Sequence, residues 1–183
     1  MAIDLKNIMV GNADDAKNNN DRVKSSDLIW DNVDDGTYAA TMVIVYPWKE
    51  YTKDQYVRVR DDEGKFVRDA DGNFETTLVK DLKWHMTDVV FRIDGGKFDN
   101  HAVKYTLSTH PNFVGSAKQF LYRMGIFGVS LDDLYKHTGK TGFVVVKNRD
   151  NNYVDKDTGL TVETVESYVS YIAEADSETD IGI

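Results

Sequence analysis

One stretch of the chain, Asn112 to Met124, carries helical spacing, and nearly everything around it alternates as strands do. Phe113, Ala117, Phe120, Leu121 and Met124 recur three and four residues apart, which lines a single face of an α-helix. Pro111 suits the start, because its missing N–H would be unpaired in a first turn anyway. Gly125 suits the position after the last turn, where a left-handed residue ends a helix cheaply. A chain with one substantial helix among many short strands must build its core on a sheet, with the helix packed against it.

The first strand is expected at Thr37 to Trp48, after the turn Asp34-Asp35-Gly36. Tyr38, Ala40, Met42, Ile44 and Tyr46 fall on one face, and Ala39, Thr41, Val43 and Val45 on the other. Both faces are partly apolar, which suits a central strand, and Pro47 ends its regular pairing. A long excursion follows, Lys49 to Thr87. Within it Tyr56-Val57-Arg58-Val59-Arg60 alternates, and the turn signals Asp62-Glu63-Gly64 and Asp71-Gly72-Asn73 flank Phe66-Val67-Arg68. This predicts one or two inserted hairpins. Asp88 to Asp94 resumes the core with Val89, Phe91 and Ile93 inward. After Gly95-Gly96, His101 to Ser108 returns with Val103, Tyr105 and Leu107 inward.

Beyond the helix, a short second one is expected at Leu131 to Tyr135, with Ser130 as cap, Asp133 completing a capping-box-like pair, and Gly139 closing it. Gly142 to Lys147 reads as a buried strand and Asn148 to Thr158 as a polar loop. Val162 to Val165 and Tyr168 to Ile172 give the last strand signals. Before all of these, Gly11 to Ser26 is polar and rich in Asn and Asp, which predicts a flexible N-terminal arm over 1–26. The island Asp27-Leu28-Ile29-Trp30 is expected to dock Trp30 on a domain spanning 27–173. An acidic tail, 174–183, follows.

The chain contains no cysteine, so disulfides and thiolate metal sites are excluded. No long apolar run suggests a membrane span. The start Met-Ala-Ile-Asp-Leu-Lys lacks a leader's charged-then-apolar pattern, so a mature, cytoplasmic protein is expected. Enzyme chemistry finds little support. His85, His101, His110 and His137 are dispersed, without helical metal-ligand spacing, and are expected to be exposed or capping. No nucleophile-elbow pattern frames a serine. Gly139-Lys140-Thr141 has the ending of a phosphate loop without its earlier glycine. Asp69-Ala70-Asp71-Gly72-Asn73 begins like a calcium loop, but Lys80 stands where the twelfth-position acid belongs, so a hairpin turn is expected. Asp132 and Asp133 sit where they would complement a helix dipole. No cofactor or metal is expected, and neither is catalysis.

Three strands, a helix, then two strands is the order of an oligonucleotide/oligosaccharide-binding (OB) barrel. The fold expected is therefore mainly β: a five-stranded OB-type Greek-key barrel, with the helix between strands three and four and a long β-hairpin insertion between strands one and two. Here the chain resembles phage-encoded single-stranded DNA-binding proteins. The resemblance spans about Asp35 to Ala173 and rests on three features: Asp35-Gly36-Thr37-Tyr38, the helix from His110-Pro111-Asn112 to Met124-Gly125, and Leu131-Asp132-Asp133-Leu134 with Thr138-Gly139-Lys140-Thr141-Gly142. It implies binding and protection of single-stranded DNA in phage replication or recombination, in the host cytoplasm. It also implies that Asp176, Glu178, Asp180 and Ile183 of the tail recruit replication proteins, although the tip is not aromatic.

Sequence-tolerant binding needs rings that stack on bases and cations that follow the backbone. The excursion interleaves Tyr51, Tyr56, Phe66, Phe74 and Trp84 with Lys53, Arg58, Arg60, Lys65, Arg68 and Lys83, and Trp48 stands at its start. Arg92 and Lys104 alternate away from the core. These residues are the expected contacts, with Tyr56, Trp84, Arg92 and Lys104 facing one groove. The net charge of −9 opposes nucleic acid only in total, because basic residues nearly match acids between Lys49 and Lys104 and the acidic surplus lies at the ends. Two other readings remain open: a phage structural or interaction protein with a β-rich protein-binding flap, and a carbohydrate-binding module. The oligomeric state is open as well, a homo-oligomer included.

Overall fold

The computed structural model describes residues 23–173. The expected arm up to residue 22 and the acidic tail 174–183 lie outside the described residues. The architecture is mainly β. Its strands are β1 (Gly36–Val45), β2 (Lys49–Arg58), β3 (Thr76–Ile93), β4 (Ala102–Ser108), β5 (Thr141–Asp150), β6 (Tyr153–Val154), β7 (Thr161–Val162) and β8 (Val165–Ala173). The helix α1 (Val114–Arg123) stands between β4 and β5, and a 3-10 helix, Leu131–His137, follows it.

Six strands form one mixed sheet in the order β1-β5-β8-β4-β3-β2, and β6 pairs with β7 in a small hairpin. β1 also pairs with β3, so the succession β1–β3–β4–β8–β5 returns to β1, while β2 joins β3 alone. All these ladders are antiparallel except β4–β8, which is parallel and meets at Lys104 and Tyr168.

The inner face of this sheet is closed over by α1. Met42, Val89, Phe91, Ile93, Val103, Leu107, Val144, Val146, Val169 and Ile172 supply the strand side of the main cluster, and Ala117, Phe120, Leu121 and Met124 supply the helix side. Phe120 stacks on Tyr105 with centroids 5.2 Å apart and meets the edge of Phe91 at 6.2 Å. Each such buried side chain contributes about 1.5–3 kcal/mol relative to exposure, which is what fixes the helix to the sheet. A second, smaller cluster on the outer face joins Leu28, Val43, Val90 and Ala102.

Several expectations need correction. α1 begins at Val114, because the Phe113 and Val114 N–H groups both donate to the His110 carbonyl and make Pro111-Asn112 a preceding turn. Its end follows the sequence: Gly125 is left-handed, and Gly125 N–H and Ile126 N–H donate to Tyr122 and Leu121. β1 ends at Val45, and a bulge between Met42 and Ile44 inverts its alternation. Val45 therefore packs on the main cluster while Ile44 joins the outer one. Core strand and excursion are not separate either, since β3 is a single strand of 18 residues serving both.

The Asn148–Thr158 segment is not all loop: β5 runs to Asp150, and Tyr153–Val154 form one side of the small hairpin. The second helix is 3-10 and reaches His137. Ser130 makes no side-chain cap bond, and Asp133 pairs with Lys136 at 2.7 Å instead. In the apolar island, Leu28 rather than Trp30 is buried, because Ile29 bridges His101 and turns Leu28 under the sheet. Trp30 stays 43% exposed, its indole N–H donating to the Ser25 carbonyl at 2.9 Å.

Candidate nucleic-acid interface

β3 outruns its partner. Met86 lies opposite Ser108 at the end of β4, and β3 continues beyond it into the β2–β3 arm. Strand alternation puts Trp84, Met86 and Asp88 on the outer face, beside Lys104, Thr106 and Ser108 of β4. Across the arm, Tyr51 is opposite Trp84 and Lys49 is opposite Met86. Tyr51 and Trp84 stack with centroids 5.7 Å apart and planes at 17°.

These residues line a trough in two halves that share Met86, Lys104 and Thr106. The first half, about 810 Å³, lies between the arm, α1 and β8, with Trp84, Phe113 and Tyr168 among its rings. The second, about 680 Å³, is bounded by Trp30, Tyr46 and Tyr51. Trp30, Tyr46, Tyr51 and Phe113 are all exposed. Three cations line the whole, Lys49, Lys104 and Arg149, against the carboxylates of Asp88 and Glu166. Asp88 accepts the Thr106 hydroxyl at 2.6 Å.

The arm is held over one end of this trough. The bulge between Lys53 and Gln55 places Asp81 at φ 48°, and the Asp54 carboxylate accepts the Asp81 N–H at 2.9 Å. Beyond it, the Asn112 carboxamide accepts the Arg58 N–H at 2.9 Å and donates to the Tyr56 carbonyl at 3.2 Å, as a strand neighbour would. Asn112 in turn donates its own N–H to His110 Nδ1, and the edge of Trp84 meets the His110 ring at 5.3 Å. His110 is buried, contrary to expectation, and burial pushes its pKa down from 6.5, which favours the neutral ring.

Glu166 is the electrostatic centre of the first half. Its carboxylate accepts from the Arg149 guanidinium at 2.9 Å and lies 3.5 Å from Lys104 Nζ. The Arg149 hydrogen bonds hold its pKa below the ordinary 4.5 against the opposing effect of burial, with Lys104 lowering it further. Arg149 also lies 4.9 Å over the Tyr168 ring.

Of the expected contacts, Tyr51, Trp84 and Lys104 line the trough and the others do not. Tyr56, Trp84, Arg92 and Lys104 therefore do not converge as expected. Trp48 is half-buried against the core, its indole N–H donating to the Leu131 carbonyl at 3.2 Å. Lys83 alternates to the arm's other face and lies 3.8 Å from Glu50. On that face His85 Nε2 is buried, 3.5 Å from Glu50 and without a hydrogen bond. Arg92 is engaged by Asp94 at 3.0 Å, and Asp94 also accepts from Thr41. Tyr56 is well exposed but stands outside the trough.

Arg58, Arg60, Lys65 and Arg68 belong to the arm's tip, which is built from a duplication. Val59-Arg60-Asp61, Gly64 and Phe66 recur eight residues on as Val67-Arg68-Asp69, Gly72 and Phe74. The copies fold alike: Asp61 and Asp69 each accept two turn N–H groups, and Arg60 and Arg68 donate to the carbonyls of Gly64 and Gly72. Val59 N–H donates to Glu75, Val67 to Val59 and Glu75 to Val67, a ring of three backbone bonds. The guanidiniums of Arg60, Arg58 and Arg68 interleave with the rings of Phe66 and Phe74 at 3.8–5.4 Å. Lys65 pairs with Glu63 at 2.7 Å. The turn at Asp69–Asn73 is a hairpin turn, and no group of side chains among the described residues is arranged to hold a metal ion. No helix among them is long and apolar enough to cross a membrane.

The tail residues Asp176, Glu178, Asp180 and Ile183 lie outside the described residues. Trp30, Tyr46, Lys49, Phe113, Arg149, Glu166 and Tyr168 also line the trough, and the sequence did not single them out as contacts. The period of eight in the tip was a legible signal, as was the alternation Glu166-Ser167-Tyr168 on the last strand. Nothing in the local sequence announces that Trp30 and Phe113 share a trough. The chain matches no protein-family model, no curated protein and no solved structure with which it was compared.

Proposed function

We propose that this chain binds and protects single-stranded DNA without catalysis, in phage replication or recombination. The observation that carries the reading is the trough itself, with exposed rings on both sides of Lys104. Unpaired bases stack on such rings whatever their sequence, each worth about 1–3 kcal/mol, while cations hold the phosphates. The succession of pairings β1–β3–β4–β8–β5–β1, with parallel β4–β8 and α1 after β4, supports a five-stranded OB-type barrel. On that reading the β2–β3 arm inserts between barrel strands one and two. The trough then crosses strands two and three and reaches the last strand, flanked by the arm and by the start of α1. Strands two and three, with the arm between strands one and two, carry the customary ligand face of the fold.

A fluorescent oligo-dT titration tests the reading. Binding that weakens steeply between about 50 and 200 mM salt supports it, and no binding at about 50 mM salt with micromolar protein contradicts it. One observation favours a second reading: the near balance of trough charge, with Lys49, Lys104 and Arg149 against Asp88 and Glu166, suits a neutral oligosaccharide stacked on the same rings. Salt-insensitive binding of an oligosaccharide, with none of oligo-dT, would select it.

A further inference from the structure

Within the trough, one carboxylate occupies two cations at once. Glu166 on β8 reaches Arg149 of β5 through two guanidinium nitrogens, at 2.9 and 3.3 Å, and Lys104 of β4 lies 3.5 Å from its other oxygen. The Glu166 side chain is three-quarters covered, whereas Arg149 stays 60% exposed beside the Tyr168 ring. A guanidinium that is held on one side, stacked on a ring and open on the other is arranged to receive a second anion. Glu166 sets one oxygen against Arg149 and the other against Lys104, as the two free oxygens of a phosphodiester could.

We propose that Glu166 stands in for a backbone phosphate: it holds Arg149 and Lys104 in place in the free protein, and the incoming strand displaces it. This rests on the DNA reading above and deepens it, by assigning a residue that limits affinity and eases release. Once a phosphate engages Arg149, the Glu166 carboxylate has lost a partner and faces a like charge, so part of each phosphate contact is spent against it. Glutamine keeps the shape and removes the charge, leaving both cations to the phosphate.

The test is oligo-dT binding by wild type, Glu166→Gln, Arg149→Ala and the double variant, each first checked for an unchanged far-ultraviolet spectrum. Glu166→Gln is expected to bind about tenfold tighter at about 50 mM salt, with a salt slope steeper by about 0.7 for each cation freed. The gain should vanish when Arg149→Ala is added. A second measurement covers a variant that folds poorly: the carboxyl carbon resonance of wild-type Glu166, titrated with and without saturating oligo-dT. Its midpoint is expected to rise on binding, as Arg149 turns to the phosphate and Lys104 follows. If wild type binds and Glu166→Gln binds no tighter, or the midpoint stays where it is, the proposal is overturned while the DNA reading stands. If neither protein binds oligo-dT, both fall together.

Discussion

Asn112 and Arg58 are joined across 54 positions of sequence: the Asn112 carboxamide oxygen accepts the Arg58 backbone N–H at 2.9 Å. With the return bond to the Tyr56 carbonyl, a side chain beside α1 acts as a strand partner for β2. The orientation of the arm over the trough depends on this pair and on the bulge that Asp54 caps at Asp81.

Replacing Asn112 with alanine is therefore expected to loosen the arm without unfolding the sheet. Amide exchange at Arg58 should accelerate at least tenfold, with little change at Val89 or Phe91 in the core. Loss of one or two such bonds costs about 0.5–1.5 kcal/mol each, so the melting temperature should fall only slightly. Unchanged exchange at Arg58 would show that the arm is held by other means.

Two tryptophans that look alike in the sequence should behave differently. Trp84 lines the trough, so Trp84→Ala is expected to weaken oligo-dT binding by about 1–3 kcal/mol, roughly 5- to 150-fold. Trp48 packs on the core, so Trp48→Ala should cost about 2–3 kcal/mol of stability, read by urea melting, and leave affinity nearly unchanged in the folded protein. Equal effects of both on affinity would deny the trough its special role.

The cations separate in the same way. Lys49→Glu and Lys104→Glu should each weaken oligo-dT binding and flatten its salt slope by about 0.7 or more. Charge reversal at Arg58 and Arg60, which the sequence favoured as contacts, should act mainly by disturbing the tip, since both guanidiniums lie on Phe66 or Phe74. A larger loss from the Arg58 and Arg60 pair than from Lys104, in a protein with an intact tip, would move the site to the arm's end.

The legible part of this fold is the part that depends on short-range periodicity. Ala117, Phe120, Leu121 and Met124 of the helical stripe and the strand alternations of Val89–Ile93 and Val103–Leu107 face the core as read, whereas Phe113, read on the same stripe, precedes the helix and is exposed. Bulges hid the rest. One extra residue between Met42 and Ile44 sends Val45 inward and Ile44 outward, and no residue type there marks it. The trough was half legible for a related reason: Trp84 and Lys104 follow from alternation, whereas Trp30, Phe113 and Arg149 join them only through tertiary packing. Arg60 and Arg68, counted along the excursion as contacts, have the rings and carbonyls of their own turns as partners.

Burial of His110 gives a pH dependence with a definite sign. Its folded pKa lies below the ordinary 6.5, so the unfolded chain takes up a proton first as pH falls. Stability should therefore decline as pH drops through 6.5 toward the folded value, and His110→Gln should flatten that part of the curve. Urea midpoints at pH 7.5 and 5.5 check it, and a slope unchanged in His110→Gln would assign the effect elsewhere.

The trough is tested most directly by mapping backbone amide shifts as oligo-dT is added at about 50 mM salt, where phosphate contacts are strong. Changes are expected to concentrate at Lys49, Tyr51, Trp84, Met86, Lys104, Phe113 and Tyr168, with few in the tip from Val59 to Glu75. Changes confined to the tip, or none at micromolar protein, would contradict it.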